Sequence, residues 1–176
     1  SLRRPIPRTL TGAECIANIL RRKPVDRIGL FEHFWGDTQK KWTREGHLKE
    51  GESLADHFDF DIETGGWFNM TADLDFEPVV VEETQDTILT RDGNGALLRR
   101  HKHHDATPEH VDFLVKDRTG WEAHIKPLLK PDVRRTDFTA YREAKRHAAE
   151  KQRFFCWGGT NVFELMHPVC GHQYML

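Results

Sequence analysis

Residues 87–100 read Thr87-Ile-Leu-Thr-Arg-Asp-Gly-Asn-Gly-Ala-Leu-Leu-Arg-Arg100, and they predict a β-hairpin. Two runs rich in apolar and β-branched residues flank Asp92-Gly-Asn-Gly95, whose residue types tolerate the positive φ angles of a tight turn. The β-branched stretch from Val79 to Glu83 extends the β-rich region toward the N-terminus. Any fold assigned to the chain therefore has to accommodate this hairpin.

Three short apolar stretches lie on either side of the hairpin and predict buried strands at residues 28–34, 60–63 and 154–157. Amphipathic helices alternate with them. The first begins at a Thr11–Glu14 capping box, and residues 136–151 are rich in helix-favouring side chains. This alternation is typical of βαβ units with a parallel sheet. Three strands are too few for a complete (β/α)8 barrel of about 250 residues, so periodicity alone leaves part of a barrel and a smaller open sheet as alternatives.

Two further helices are predicted in the second half of the chain. One helical face comprises Trp121, Ile125, Leu128 and Leu129, although Pro127 must bend or end that helix. Thr160 is predicted to cap a final helix.

Composition and charge limit the classes of function. Of the 176 residues, 31% are charged and 38% are hydrophobic, which is typical of a globular domain. A net charge of −2 argues against a nucleic-acid partner, and no run approaches the roughly 18 apolar residues of a membrane span. Three widely spaced cysteines, an odd number, favour reduced thiols and a cytoplasmic location.

The two ends of the sequence predict a piece of a longer chain. The sequence begins with Ser1 and stops at Met175-Leu176, inside an apolar, helix-like stretch. Domain ends are usually polar and exposed, so the chain is interpreted as a fragment that is inactive by itself.

An ordered set of short motifs resembles the uroporphyrinogen decarboxylase-like superfamily. The set comprises Pro24-Val-Asp-Arg-Ile-Gly, Phe34-Trp-Gly-Asp-Thr, Phe60-Asp-Ile, Phe68-Asn-Met, Glu82-Glu-Thr, the Arg91-Asp-Gly-Asn-Gly hairpin, Thr107-Pro-Glu-His, Phe113-Leu-Val-Lys-Asp, Phe163-Glu-Leu and Gly171-His-Gln-Tyr-Met-Leu. It spans roughly residues 10 to 176 and is most similar to the uncharacterised branch near the corrinoid methyltransferases. The order of the motifs carries the resemblance, since no single motif is specific.

The resemblance implies a fold and a class of reaction. Residues 1–176 would be the N-terminal half of a single (β/α)8 TIM barrel domain, truncated at its C-terminus, with the β-hairpin inserted. The whole protein would be a carboxy-lyase (decarboxylase) or a cobalamin-dependent methyltransferase that acts on a small organic or tetrapyrrole-related substrate. Zinc and a corrinoid would be its cofactors, and a corrinoid protein its partner. The zinc ligands of such methyltransferases come late in the barrel, so none is assigned in this chain.

One departure from the family argues against uroporphyrinogen itself. The decarboxylases hold substrate carboxylates with arginines just after the first strand. This chain has Glu32, His33, Phe34 and Trp35 there, and no arginine before Arg44. Because bidentate carboxylate recognition is a property of arginine, an eight-carboxylate porphyrinogen would lack its matching clamp here.

The candidate site residues lie at the ends of predicted strands, where a barrel places its active site. Glu32 and His33 are the predicted catalytic residues, as acid, base or ligand-positioner, and strand alternation would allow only one of them into the pocket. The alternative is a structural role at a strand end. Trp35, Trp67, Asn69 and Trp157 are the predicted substrate contacts, and the alternative for the three tryptophans is a place in the core.

Two histidine-rich segments are weaker candidates. His101-Lys-His-His104-Asp105 could place His101 and His103 on one face of a strand, but such a run is typical of a solvated hairpin end. His167 and Cys170 would share a helical face, while His172 would point elsewhere, and this spacing falls outside the zinc patterns.

A different class of function stays open beside the enzyme. The chain could be a non-catalytic α/β binding module that uses its hairpin as a docking surface. An exposed sheet edge would then favour self-association into a homodimer.

Overall fold

The structure is a computed structural model that describes residues 8–158 and 161–175. Its helices and strands, in chain order, are α1 (Gly12–Leu20), α2 (Gly36–Arg44), α3 (Leu54–His57), β1 (Ile62–Thr64), β2 (Val79–Glu83), β3 (Thr87–Arg91), β4 (Ala96–His101), β5 (Glu109–Phe113), α4 (Arg118–Gly120), α5 (Phe138–Glu150), β6 (Phe154–Cys156) and α6 (Val162–Met175). No helix in these ranges is both long enough and apolar enough to cross a membrane.

The partial (β/α)8 barrel with an inserted hairpin is wrong as a description of this fold. The described strands form two separate sheets. One is a two-stranded parallel sheet of β1 and β6, and the other is a four-stranded antiparallel sheet in the order β2-β3-β4-β5. The hairpin is the centre of this second sheet, because the neighbouring segments pair with it locally.

The described chain divides into two compact units. The first contains residues 8–68 and 136–158, and the second contains residues 69–135 and 161–175. The first unit holds α1, α2, α3, β1, α5 and β6, and the second holds β2 to β5, α4 and α6.

The first unit packs helices against the parallel pair. Ile62 lies opposite Phe154 in the register of β1 and β6, and α1 and α5 both contact these strands. The predicted capping box is confirmed, since the Glu14 backbone N–H donates to the Thr11 hydroxyl and the Thr11 N–H donates to the Glu14 carboxylate. A chain of aromatic contacts lies beside this sheet and comprises Phe31, Phe34, Trp42, Phe58 and Phe60.

Residues 28–34 do not form the predicted first strand. They have no regular secondary structure, and a single backbone hydrogen bond, from the Asp61 N–H to the Leu30 carbonyl (2.8 Å), links them to the start of β1. The Ile28 side chain is 88% exposed. Apolar side chains here therefore lack the burial that the strand prediction assumed.

The second unit confirms the predicted hairpin. Leu89 of β3 pairs with Arg99 of β4. The Asp92 carboxylate accepts the backbone N–H groups of Asn94 and Ala96, and Gly95 adopts a φ of +78°. β2 and β5 extend the sheet on either side.

The helix predicted around Trp121 is irregular. A turn of α-helix at Arg118–Gly120 continues as a π-helix over Trp121–Ile125 and a 3-10 helix over Lys126–Leu128. Pro127 accounts for the break because it lacks a backbone donor. Thr160, the predicted cap of α6, lies outside the described residues.

Candidate functional site

A cavity of about 280 Å³ lies in the first unit and is the candidate functional site. It is formed by the irregular stretch before α2, by Gln39 of α2, by the start of α3, and by Phe60 together with β1. Its lining residues are Phe31, Glu32, His33, Gln39, Glu52, Ser53, Leu54, Ala55, Phe60, Ile62, Glu63 and Thr64. We call this space the β1 cavity.

Both predicted catalytic residues, Glu32 and His33, line the β1 cavity. Strand alternation predicts only one of them there. The difference follows from the irregular backbone of residues 28–34, which is not held to the two-residue alternation of a strand. The structure thus places a carboxylate and an imidazole side by side at one cavity.

Glu32 and His33 also keep their polar atoms available. Among the described residues, the one hydrogen bond to the Glu32 carboxylate comes from the backbone N–H of His33, at 2.8 Å to Oε1. Both residues are exposed at the cavity rim. Oε2 of Glu32 and the His33 imidazole are therefore in a position to exchange protons with a ligand.

The two other carboxylates of the cavity are already engaged. Glu52 accepts the backbone N–H of Lys49 (2.9 Å) and lies 3.2 Å from Nδ1 of His57, and these contacts hold its pKa below the usual value. Glu63 lies 2.8 Å from Nη1 of Arg153 and 3.4 Å from Nδ1 of His147. Among the carboxylates of the cavity, Glu32 is thus the one left for a ligand.

Arg153 is a structural centre of this unit. Its guanidinium donates to the carbonyls of Phe60 (3.1 Å) and Ala55 (2.8 Å) as well as to Glu63 and to Asp56 (2.6 Å). Every nitrogen of the group has a partner, so Arg153 has no free fork to offer to a substrate carboxylate.

The arginine of the Pro24-Val-Asp-Arg motif is likewise engaged within the fold. Arg27 donates through Nη1 and Nη2 to the two carboxylate oxygens of Asp61, at 2.7 Å each. No arginine of the described part of the chain lines the β1 cavity. The cavity accordingly lacks the bidentate clamp that a polycarboxylate ligand would require.

The predicted tryptophan contacts do not line the β1 cavity. Trp35 is exposed and precedes α2. Trp67 is also exposed, and its backbone lies so close to Gly158 that a Cβ there would come within 2.9 Å of the Trp67 Cα. The Trp157 indole covers Gly65 and Gly66, and its buried Nε1 has no partner among the described residues.

Asn69 belongs to the second unit. Its side-chain carbonyl accepts the backbone N–H of Thr71 at 3.0 Å, and its backbone carbonyl accepts from Arg135. The side chain therefore stabilises a turn in the structure as described. Its predicted role as a ligand contact stays a prediction.

The histidines at the end of β4 form an exposed ring cluster. The ring centroids of His101 and His104 are 4.7 Å apart, and the His103 backbone N–H donates to Nδ1 of His101. In residues 8–158 and 161–175, no three His, Cys, Asp or Glu side chains are arranged to hold a metal ion.

No protein-family model, curated protein or solved structure matches the chain.

Glu52, Phe60 and Glu63 are among the lining residues that the sequence did not predict. Glu63 lies in a recognised strand, and its two-residue spacing from Asp61 was a usable signal for a second carboxylate on that strand. Glu52 and Phe60 gave no such signal. Glu52 reaches the cavity through the turn before α3, and Phe60 through its contact with Phe31, with ring centroids 5.9 Å apart.

Proposed function

We propose that the chain belongs to the uroporphyrinogen decarboxylase-like superfamily and binds a small organic substrate in the β1 cavity, with Glu32 and His33 as its acid–base pair. The reaction type is that of a carboxy-lyase or a cobalamin-dependent methyltransferase. The observation that carries this proposal is the meeting of Glu32 and His33 at one cavity.

The size of the cavity supports a small substrate. Small-molecule sites usually measure about 300–1,000 Å³, and the β1 cavity of about 280 Å³ lies just below that range. Such a space accommodates a compact organic molecule, or one edge of a tetrapyrrole, but not a whole macrocycle. Zinc and a corrinoid, which the resemblance implies, remain proposed cofactors, and a corrinoid protein remains the proposed partner.

The charge of the cavity supports a substrate with few carboxylates. Glu32 is the available carboxylate, while the nearby guanidinium of Arg153 is held by its own four partners. An anionic substrate would face Glu32 without a compensating cation. The geometry thus favours methyl-transfer or proton-transfer chemistry on a neutral or cationic group over binding of an eight-carboxylate porphyrinogen.

Isothermal titration calorimetry of the protein tests this proposal. The ligands are hydroxocobalamin, uroporphyrin I and a panel of small thiols, amines and carboxylic acids. We expect at least one small member to bind and uroporphyrin I not to bind. Glu32→Gln and His33→Gln should each weaken that binding about tenfold, which corresponds to roughly 1.4 kcal/mol.

Matched variants identify the site. Glu45→Gln and His47→Gln change the same residue types elsewhere in the first unit and should leave the affinity unchanged. Absence of heat with every ligand, or equal weakening by the cavity and control variants, contradicts the proposal.

A second candidate function is self-association through β2. This strand is an edge of the four-stranded sheet, and Val79, Val80 and Val81 are each more than half exposed. Antiparallel pairing of two copies about Val81 would place Val79 opposite Glu83, so that like charges would not face each other. We propose a homodimer as the alternative use of this surface.

Light scattering coupled to size-exclusion chromatography distinguishes this alternative. A concentration-dependent dimer would support the β2 interface if Val80→Lys abolishes it. Thr90→Lys, on the neighbouring strand, should leave this dimer intact. A monomer at all concentrations would exclude the β2 dimer.

A further inference from the structure

Three histidine rings of the second unit are in contact with one another. His110 comes from β5, and His167 and His172 come from α6. The ring centroids of His110 and His167 are 4.6 Å apart, and those of His167 and His172 are 4.2 Å apart with only 16° between the ring planes. We call these three residues the imidazole cluster.

A break in α6 brings His172 onto His167. Residues five apart on a continuous helix point in different directions because one turn contains 3.6 residues, which is why the sequence predicted that His172 points elsewhere. That prediction is wrong because Gly171 has φ +63° and ψ 174°, outside the helical region, and Pro168 lies just before it. Because of this non-helical backbone, the His172 side chain lies on the same face as that of His167.

Few opposite charges act on the cluster. Burial, followed by the neighbouring His110 and His172, lowers the pKa of His167, and Glu164 opposes this effect. Several charged groups on the packed strands have partners of their own, whereas Arg100 lies exposed near the end of β4. On β4 and β5, Arg99 binds Glu109 at 2.9 Å, and on β5 Asp112 binds Lys116 at 2.7 Å, with Tyr174 beneath the Lys116 ammonium. Proton binding to the cluster therefore places like charges close together.

We propose that the contact between β5 and α6 is a pH-sensitive switch: neutral imidazoles hold α6 on the sheet, and their protonation releases it. Two imidazolium rings would then be separated by less than 5 Å, as the described ring distances show. α6 packs on both β4 and β5, so its release would uncover one face of the antiparallel sheet.

The direction of the pH dependence follows from the sign of the shift. His167 binds a proton less readily in the folded unit than in the unfolded chain, because its pKa lies below the usual 6.5. The unfolded or released state therefore takes up more protons as the pH falls below 6.5. The stability of the contact is complete above this value and declines as the pH drops toward the lowered pKa.

Hydrogen exchange followed by mass spectrometry tests the proposal on the complete chain. Exchange is compared at pH 7.5 and pH 5.0 after correction for the intrinsic pH dependence of amide exchange. Relative to peptides from α5, peptides from α6 should open about fivefold more often at pH 5.0. This factor corresponds to the roughly 1 kcal/mol between two unit charges 4 Å apart at the dielectric constant of water.

Three variants assign the effect. His167→Gln and His172→Gln should remove the extra opening at pH 5.0. His124→Gln, an exposed histidine of the same unit, should retain it. An opening ratio that does not change with pH, or an acid effect that persists in both cluster variants, overturns the proposal.

A titration of the wild-type protein covers the case in which a variant fails to fold. With ¹⁵N-labelled histidine, the proposal expects interdependent titration of the cluster with at least one midpoint below 6.5. Three independent midpoints at the usual value would overturn it.

Discussion

Arg27 holds Asp61 in a bidentate ion pair, with both hydrogen bonds at 2.7 Å and the Asp61 side chain only 1% exposed. Oδ2 of Asp61 also accepts the backbone N–H of Leu30 at 2.7 Å. One aspartate thus fixes the irregular segment before α2 to the start of β1. The arginine of the Pro24-Val-Asp-Arg motif therefore has a structural role, which positions the segment that carries Glu32 and His33.

Arg27→Met should lower the free energy of unfolding by about 3–5 kcal/mol, because it leaves a buried carboxylate uncompensated. Urea denaturation measures this value. Arg21→Met changes an exposed arginine at the end of α1 and should stay within about 0.5 kcal/mol of the wild type. Similar losses in both variants would show that the pair does not anchor the segment.

Asp26 should make the stability of the first unit depend on pH in acid. The backbone N–H and hydroxyl of Thr9 lower the pKa of Asp26 from 3.8 to about 2. The unfolded chain consequently binds a proton in this range while the folded chain does not. The contribution of Asp26 is complete above about pH 4 and is lost as the pH falls toward 2.

Comparison of the wild type with Asp26→Asn measures this contribution. Urea midpoints are recorded from pH 5 to pH 2, and the difference between the two proteins should shrink as the pH falls. A difference that stays constant over the range would mean that the Thr9 contacts do not favour the ionised carboxylate.

Arg153→Met should lower the free energy of unfolding by about 2–3 kcal/mol. This is less than the loss for a fully buried pair, because the Asp56 side chain is 38% exposed. Arg146→Met removes an exposed pair with Glu150 on α5 and should cost about 0.5 kcal/mol or less. Urea denaturation distinguishes the two, and equal losses would contradict the central role of Arg153.

Gly171→Ala should lower the free energy of unfolding by about 1–3 kcal/mol, because its backbone conformation is accessible essentially to glycine alone. A Cβ at this position would also lie 2.5 Å from the Phe113 ring. Gly120→Ala is the control, since its backbone is helical and its added Cβ meets no atom closer than 3.5 Å. Denaturation of both variants checks the contrast, and a neutral Gly171→Ala would be the contradicting result.

The parts of the fold that the sequence predicted correctly are those governed by local signals. The turn at Asp92-Gly-Asn-Gly95, the capping box at Thr11 and the helix of residues 138–150 each depend on neighbouring residues, and each is present. β6 was also predicted, and it is present as the parallel partner of β1.

The sheet arrangement could not be predicted in the same way. β5 contains Glu109, His110 and Asp112, so its sequence carries little of the usual strand pattern. It forms a strand because its backbone pairs with the edge of β4. Residues 28–34 have the apolar pattern but form a single backbone hydrogen bond to the start of β1, and no strand results.

Of the candidate site, Glu32 and His33 could be predicted from the sequence, whereas the other lining residues could not. Contacts formed only in the fold, such as the Lys49 backbone N–H to Glu52 in the turn before α3 and the remote Arg153 to Glu63, decide which carboxylates remain available. The imidazole cluster was not predicted, because the direction of the His172 side chain is set by the non-helical backbone of Gly171. The helical period would place it elsewhere.

The pairing of Ile62 with Phe154 has a consequence for synthesis on the ribosome. β1 emerges long before its partner β6, and at about 5–20 residues per second the interval is roughly 5–20 s. β2 to β5 are all made within that interval and can pair with one another as they emerge. The antiparallel sheet should thus form first during translation. The segments around the β1 cavity can complete their unit only after its C-terminal part, which contains β6, has been synthesised.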